Sequence, residues 1–204
     1  MKASTKTEVK LPGFEEIKDR ITARLVNREQ NKEIMKSRPY KEAAEDLICL
    51  YQLEWHDSPE MMAEVVITNG LLEIWDVTAE DVIRAGEINT PRLHPPRIRT
   101  LSEALGVTQV VEPDIYVVSN AEGFFGAVAI LYPGVQEELE KKLGDFYVIP
   151  SAVHEVLAVS VSMAEREELD DLIRTINASE VPPADVLSDH AYRLRDGMLV
   201  AERP

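Results

Sequence analysis

Two-residue turns punctuate this chain, and they decide what kind of sheet it can build. Asn69-Gly70 separates an apolar stretch over 61–68 from another over 71–76, and Asp196-Gly197 separates 191–195 from 198–201. Asn-Gly and Asp-Gly readily supply the two residues at φ > 0 that a type I′ turn needs, so each site predicts a β-hairpin. Pro150-Ser151 marks a third, between 146–149 and 153–161. Hairpins join antiparallel neighbours, whereas parallel strands need crossovers of about a dozen residues or more. With helices between the hairpins, the expected class is α+β: an antiparallel sheet built from hairpins, with helices packed on it, and not a doubly wound parallel sheet.

Phe14, Ile17, Ile21 and Leu25 recur at spacings of three and four with charged residues between them. This predicts an amphipathic helix from 14 to about 36, ended by Ser37 and Pro39. Residues 47–55 read as a strand. Thr78 with Asp81, and Thr100 with Glu103, have the spacing of a reciprocal N-cap and start helices at 79 and 101. Residues 115–119 and 125–132 read as strands around a loop containing Gly123. Helices follow over 135–143 and 164–176, and Pro182-Pro183 opens a short helical turn ending at Ser188. Residues 1–13 lack apolar periodicity and read as a flexible lead-in to one domain over 14–204, with a subdivision near 88–113 left open. Within that region, 88–99 has no acid and holds Pro91, Pro95 and Pro96. It predicts an ordered extended connector, neither regular helix nor central strand.

Composition excludes some partners. The net charge is −15, and it is uneven: residues 1–50 carry 11 Lys/Arg against 9 Asp/Glu, residues 51–204 carry 11 against 28. So acidic a body repels nucleic-acid backbones and anionic membrane surfaces. The plain reading of the acidity is solubility. Cys49 is the one cysteine, which rules out an intramolecular disulfide, and the apolar run LICLYQL around it points to a buried, inert thiol. No apolar segment follows MKASTKTEVK, and no apolar run approaches the about 18 residues of a membrane span. A cytoplasmic location is expected.

Four residues invite a catalytic reading: His154 beside Glu155, and Asp189 beside His190. Imidazole and carboxylate carry protons and bind metals. Adjacent residues on a strand face opposite ways, however, so only one of each pair can meet a shared site. There is no HExxH, GxSxG, GxGxxG or P-loop, so neither metal nor cofactor is expected. The plainer reading has each histidine at a sheet edge, bonded to a loop. Arg92, His94, Arg97 and Arg99 form a second constellation suited to a small anion, or simply to balancing nearby acids. Tyr116, Phe124, Phe125, Tyr132, Phe146 and Tyr147 are expected in the core.

The segments FEEIKDRITARLVNREQNKE, NGLLEIWDVTAEDVIRAGEINTPRL, AVAILYPGVQEELEKKLG, DFYVIPSAVHEV and INASEVPPADVLSDHAYR span about residues 14–193. In this order, with the pattern LYPGV…PSxVHE…LSDxxY, they resemble an uncharacterised clostridial family of Lachnospiraceae type, a domain of unknown function. The resemblance implies that members usually carry a further N-terminal region, most of which this chain is expected to lack. It also implies that Asn is common at the position of His190, which argues against a role needing imidazole there. It implies no activity or cofactor. A looser likeness to an uncharacterised family of Bacillus type implies α+β again.

Two functional readings result. The first is a non-enzymatic binding or regulatory module with a protein or peptide partner. The second is a hydrolase using His154 with Asp189 or Glu155, or a small-anion-binding protein using the 92–99 segment.

Overall fold

A short helix, α1 (Phe14–Ile17), and a 3-10 turn over Lys18–Arg20 lead into strand β1 (Ile21–Asn27). The computed structural model describes residues 11–58, 61–107, 115–163 and 165–201; most of the expected lead-in lies outside them. The helix expected over 14–36 is corrected: apart from α1, only α2 (Lys32–Met35) is α-helical there. Ile17, Ile21 and Leu25 are four apart, a spacing that puts residues on one face of a helix and of a strand alike. Burial of Ile21, Ala23 and Leu25 follows the period of two. Pairing decides the matter, because β1 runs antiparallel to β3 (Leu47–Ser58) from Ile21↔Leu53 to Asn27↔Leu47. The opposite edge of β3 takes β2 (Tyr40–Glu42) and β4 (Met61–Val66).

The hairpin expected at Asn69-Gly70 is absent. Helix α3 (Asn69–Trp75) starts there, with Thr68 as N-cap accepting from the Leu71 N–H. The Asn69 N–H donates to Ser37 O at 2.8 Å. Gly70 does not adopt positive φ. An N-cap threonine and a waiting carbonyl outweigh the turn propensity of the dipeptide.

Helix α4 (Ala79–Leu93) begins at the expected Thr78–Asp81 box but runs through Pro91, which corrects the extended connector for its first half. Proline removes a hydrogen bond in the last turn only, and neighbouring side chains hold that turn. Asn89 Nδ2 donates to Lys18 O at 2.8 Å. Thr90 Oγ1 accepts from the Ala23 N–H at 2.9 Å and donates to Gly86 O. Gly86 lets α4 approach the sheet: a Cβ there would lie 2.5 Å from Tyr51 Cδ1.

The second half of the connector is extended, as β5 (Pro96–Thr100), an edge strand where proline is tolerated. Helix α5 (Leu101–Leu105) follows with its expected Thr100–Glu103 box. The second sheet has the order β5-β6-β8-β7, with β6 (Tyr116–Asn120), β7 (Phe146–Ala152) and β8 (Glu155–Ser160). The strand expected over 125–132 is a 3-10 helix, Gly126–Leu131, buried from Gly126 to Ile130. A short apolar run buried all round has no period that separates strand from helix. Helices α6 (Val135–Leu143) and α7 (Arg166–Ser179) fall close to expectation. The region after Pro182-Pro183 makes turns without a helix. β9 (Arg193–Arg195) and β10 (Met198–Val200) form the expected hairpin, with Asp196 at φ 51 and Gly197 at φ 73.

Among the described residues every strand pair is antiparallel, with the strands shared among two four-stranded sheets and one hairpin, and the class is α+β. One hydrophobic cluster joins the two larger sheets through residues such as Tyr51, Val118, Val148 and Tyr192. A smaller one, including Ile149, Leu169 and Ile173, lies under α7. Tyr132 and Phe146 are buried as expected, but Phe124 is 59% exposed.

Candidate functional site

Loop 120–126, with sequence Asn-Ala-Glu-Gly-Phe-Phe-Gly, is built by its first residue. Asn120 Oδ1 accepts from the Gly123 and Phe124 N–H groups at 2.8 and 3.2 Å, and Nδ2 donates to Phe124 O at 2.9 Å. Phe125 sits in the left-handed region at φ 51, which costs an L-residue about 1 kcal/mol. Its N–H donates to His154 Nδ1 at 3.2 Å, and the Arg24 guanidinium lies 3.5 Å from its ring centroid. These contacts hold a strained backbone in place. Gly126 is required by space: a Cβ would lie 2.2 Å from Ser119 Oγ and 2.4 Å from Asn120 N.

The loop covers a cavity of about 120 Å³ whose walls come from β1, β3, β4, the end of α4 and the start of the 3-10 helix. His94, the C-cap of α4, spans two carboxylates there. Its Nε2 lies 2.5 Å from Glu54 Oε1, and its Nδ1 3.2 Å from Glu122 Oε2. The Glu54 side chain is only 10% exposed and also accepts from Thr22 Oγ1 at 3.1 Å. The Glu54 hydrogen bond, outweighing partial desolvation, holds the His94 pKa above its ordinary value, with Glu122 adding to it. The carbonyl end of α4 favours the same charged form. Arg24 pairs with Glu64 on the adjacent wall.

Tyr132 lines this cavity and a neighbouring one of about 500 Å³. It is 6% exposed, and its hydroxyl has no hydrogen-bond partner among the described residues. Burial, then the charges of Glu122, Cys49 and Glu54, push its pKa up. An unsatisfied buried hydroxyl costs about 1–3 kcal/mol, so it calls for an explanation. The two carboxylates flank opposite nitrogens of His94 and therefore do not converge with one nitrogen on a common point. Among the described residues no group of three or more His, Cys, Asp or Glu could hold a metal ion.

Of the residues singled out from sequence, His94 lies in this cavity and His154 supports the loop above it. His154 occupies the β7–β8 turn, stacks on Phe124 at 5.1 Å, and has Nε2 3.9 Å from Asp185 Oδ2. Glu155 starts β8 opposite Ala152. Asp189 accepts from Asn177 Nδ2 at 2.9 Å. His190 belongs to another cluster, with Nδ1 3.2 Å from Ser188 Oγ and its ring against Tyr192. Ser188, His190 and Asp46 are residue types of acyl-transfer sites, but their geometry is structural. Ser188 Oγ donates to Asp46 Oδ2 at 2.6 Å, Tyr192 OH donates to Asp46, and Ser188 is 2% exposed. Arg92 donates to Asp19 O at 2.6 Å and Asn89 Oδ1 at 3.0 Å, which ties α4 to the 3-10 turn. Arg97 and Arg99 alternate along β5 and share one face.

Sequence reasoning missed Glu54, Glu122 and Tyr132 as site residues. Glu54 left one usable signal: a carboxylate inside the apolar strand LICLYQLEW. Ionisable groups are rarely buried unless paired.

Fold and site together define an α+β protein with antiparallel sheets and a small, largely apolar cavity under a loop held by Asn120. The chain belongs to DUF5688, a family of unknown function, whose model matches residues 1–195. No curated protein and no solved structure matches it.

Proposed function

We propose that this is a non-catalytic, cytoplasmic binding module that docks a protein or peptide partner at loop 120–126, with one partner side chain entering the cavity below. The observation that carries this reading is the Phe124 ring, 59% exposed although it belongs to a loop tied down by Asn120. Size adds to it. Small-molecule pockets run to about 300–1,000 Å³, and about 120 Å³ suits a single side chain. The mouth carries Phe124, exposed and held by Asn120 and His154; a rigid aromatic is a good anchor for a partner. His94 has a carboxylate at each nitrogen, which leaves no free lone pair for general-base work.

The cytoplasmic placement rests on the lone, buried Cys49. One hydrophobic cluster spanning both larger sheets supports treating 14–204 as one domain. The segments AVAILYPGV, DFYVIPSAVHEV and LSDHAYR support placing the chain with the clostridial members of its family.

Selection from a displayed random-peptide library tests the reading. Retained peptides are expected, with binding weakened by Phe124→Ala. Retention of no peptide above control, or equal binding by the variant, would overturn it.

A further inference from the structure

We infer that the larger cavity, of about 500 Å³, is a binding site for a neutral, mainly apolar small molecule the size of a substituted aromatic ring. Its volume falls among small-molecule sites, about 300–1,000 Å³, and exceeds what one side chain fills. Its floor is one face of the first sheet: Ala23 on β1 lies opposite Tyr51 on β3, and Cys49 is two residues along from Tyr51. Pro91 of α4 and Val128 and Leu131 of the 3-10 helix add further apolar wall. The tip of the β9–β10 hairpin completes it, and two hydrogen bonds fix that hairpin. Leu199 N–H donates to Ala43 O and Gly197 N–H to Gln136 Oε1, each at 3.2 Å. Met198, 54% exposed at the rim, is an unbranched side chain that can fold over guests of differing outline.

Charge selects the guest. Lys41 is the one cation among the lining residues, against Glu42, Glu87 and Asp196, so an anion would meet an excess of its own sign. Lys41 is paired with Glu87, both about half exposed, and Glu42 with Arg28 at 3.0 Å. A cation carried inside would give up its hydration while these two carboxylates stay engaged. A neutral guest meets neither penalty. Apolar walls also hold ordered water poorly, since a buried water needs about two to four polar partners, whereas apolar surface gains by leaving water there. One polar group on the guest can stay at the mouth beside the Lys41–Glu87 pair, where a hydroxyl both donates and accepts. Phe124 is not part of this cavity, so the site stands or falls separately from the docking reading.

Three probes share one skeleton and differ in charge: 3-phenylpropan-1-ol, 3-phenylpropanoate and 3-phenylpropylammonium. Each is titrated at neutral pH into the full chain, labelled at its methyl groups, and followed by NMR. The alcohol is expected to shift the Leu131 and Met198 methyls saturably. The anion and the cation should each bind about tenfold or more weaker, because entry strips a charge of its water. Ala43→Met and Cys49→Met add side-chain volume at the wall and should each weaken the alcohol about fivefold or more by taking its space, with circular dichroism confirming the fold. No saturable shift with the alcohol, or saturable shifts confined to methyls away from the cavity, would overturn the site. Either ion binding as tightly as the alcohol would overturn the neutral assignment. Unchanged affinity in the folded variants would place the probe elsewhere and overturn it too. If neither variant folds, the three-probe comparison and the position of the shifting methyls on the native chain still decide.

Discussion

Glu54 Oε1 and His94 Nε2 lie 2.5 Å apart, and this one contact ties the middle of β3 to the C-terminal end of α4. The carboxylate is buried and the imidazole partly so, which makes the pair sensitive to the proton between them.

His94 has a folded-state pKa above its ordinary 6.5. The folded protein therefore holds this proton more tightly than the unfolded chain does. Its contribution to stability is complete below about pH 6.5 and is lost as pH rises through the folded value. Urea unfolding followed from about pH 6 to about pH 9 should show stability falling with rising pH, and His94→Asn should flatten that slope. An unchanged slope in the variant would assign the dependence to other groups.

Two glycines in one loop should respond differently to alanine. At Gly126 a Cβ would meet Ser119 Oγ, Asn120 N and His154 O at 2.2, 2.4 and 2.8 Å. Two of these are backbone atoms that cannot swing away, so Gly126→Ala should cost about 2 kcal/mol or more. Gly123 has φ +70 but open space around it, so Gly123→Ala should cost only about 1 kcal/mol. Chemical denaturation of both variants gives the ordering, and equal values would contradict the close packing under the loop.

Gly70 occupies the second position of α3 with only Thr68 Oγ1, at 3.8 Å, near its missing Cβ. Gly70→Ala should therefore stabilise the protein by about 0.5 kcal/mol through helix propensity. A hairpin turn at this site would make the same change destabilising, so the sign of the shift in thermal midpoint discriminates.

Asp46 receives hydrogen bonds from Ser188 and Tyr192 and lies 3.9 Å from His190. Asp46→Ala removes the acceptor for two largely buried hydroxyls and should cost about 1–3 kcal/mol. Peptide retention at loop 120–126, normalised to folded protein, should be unchanged. Loss of retention in the folded variant would tie this cluster to the docking site.

Cys49 is buried, and burial pushes its thiol up to about 12. Alkylation by iodoacetamide at mildly alkaline pH should be negligible in the folded protein and complete in denaturant. Rapid labelling of the folded protein would show that the neighbouring cavity opens to reagent.

Local chemistry made much of the fold legible. The Thr78–Asp81 and Thr100–Glu103 boxes, the Asp196-Gly197 hairpin and α6 each depend on a few adjacent residues. Asn69-Gly70 misled because the same dipeptide can open a helix when a threonine precedes it. Ile17, Ile21 and Leu25 misled because a spacing of four serves both periods. Pro91 misled because Asn89 and Thr90, beside it in the last turn, bond that turn to Lys18 and Ala23. The site was less legible. Glu54, His94 and Glu122 lie tens of residues apart, and only the fold sets two carboxylates on one ring.

Thr90 carries a consequence beyond its own helix. The Ala23 amide it occupies points away from β3, at the outer edge of the first sheet. A strand from another molecule would need that hydrogen to begin a shared ladder. With it already bonded to α4, runaway stacking of chains along this edge is blocked until the helix peels off, so the route to aggregation at this edge begins with a local opening event rather than in the native state.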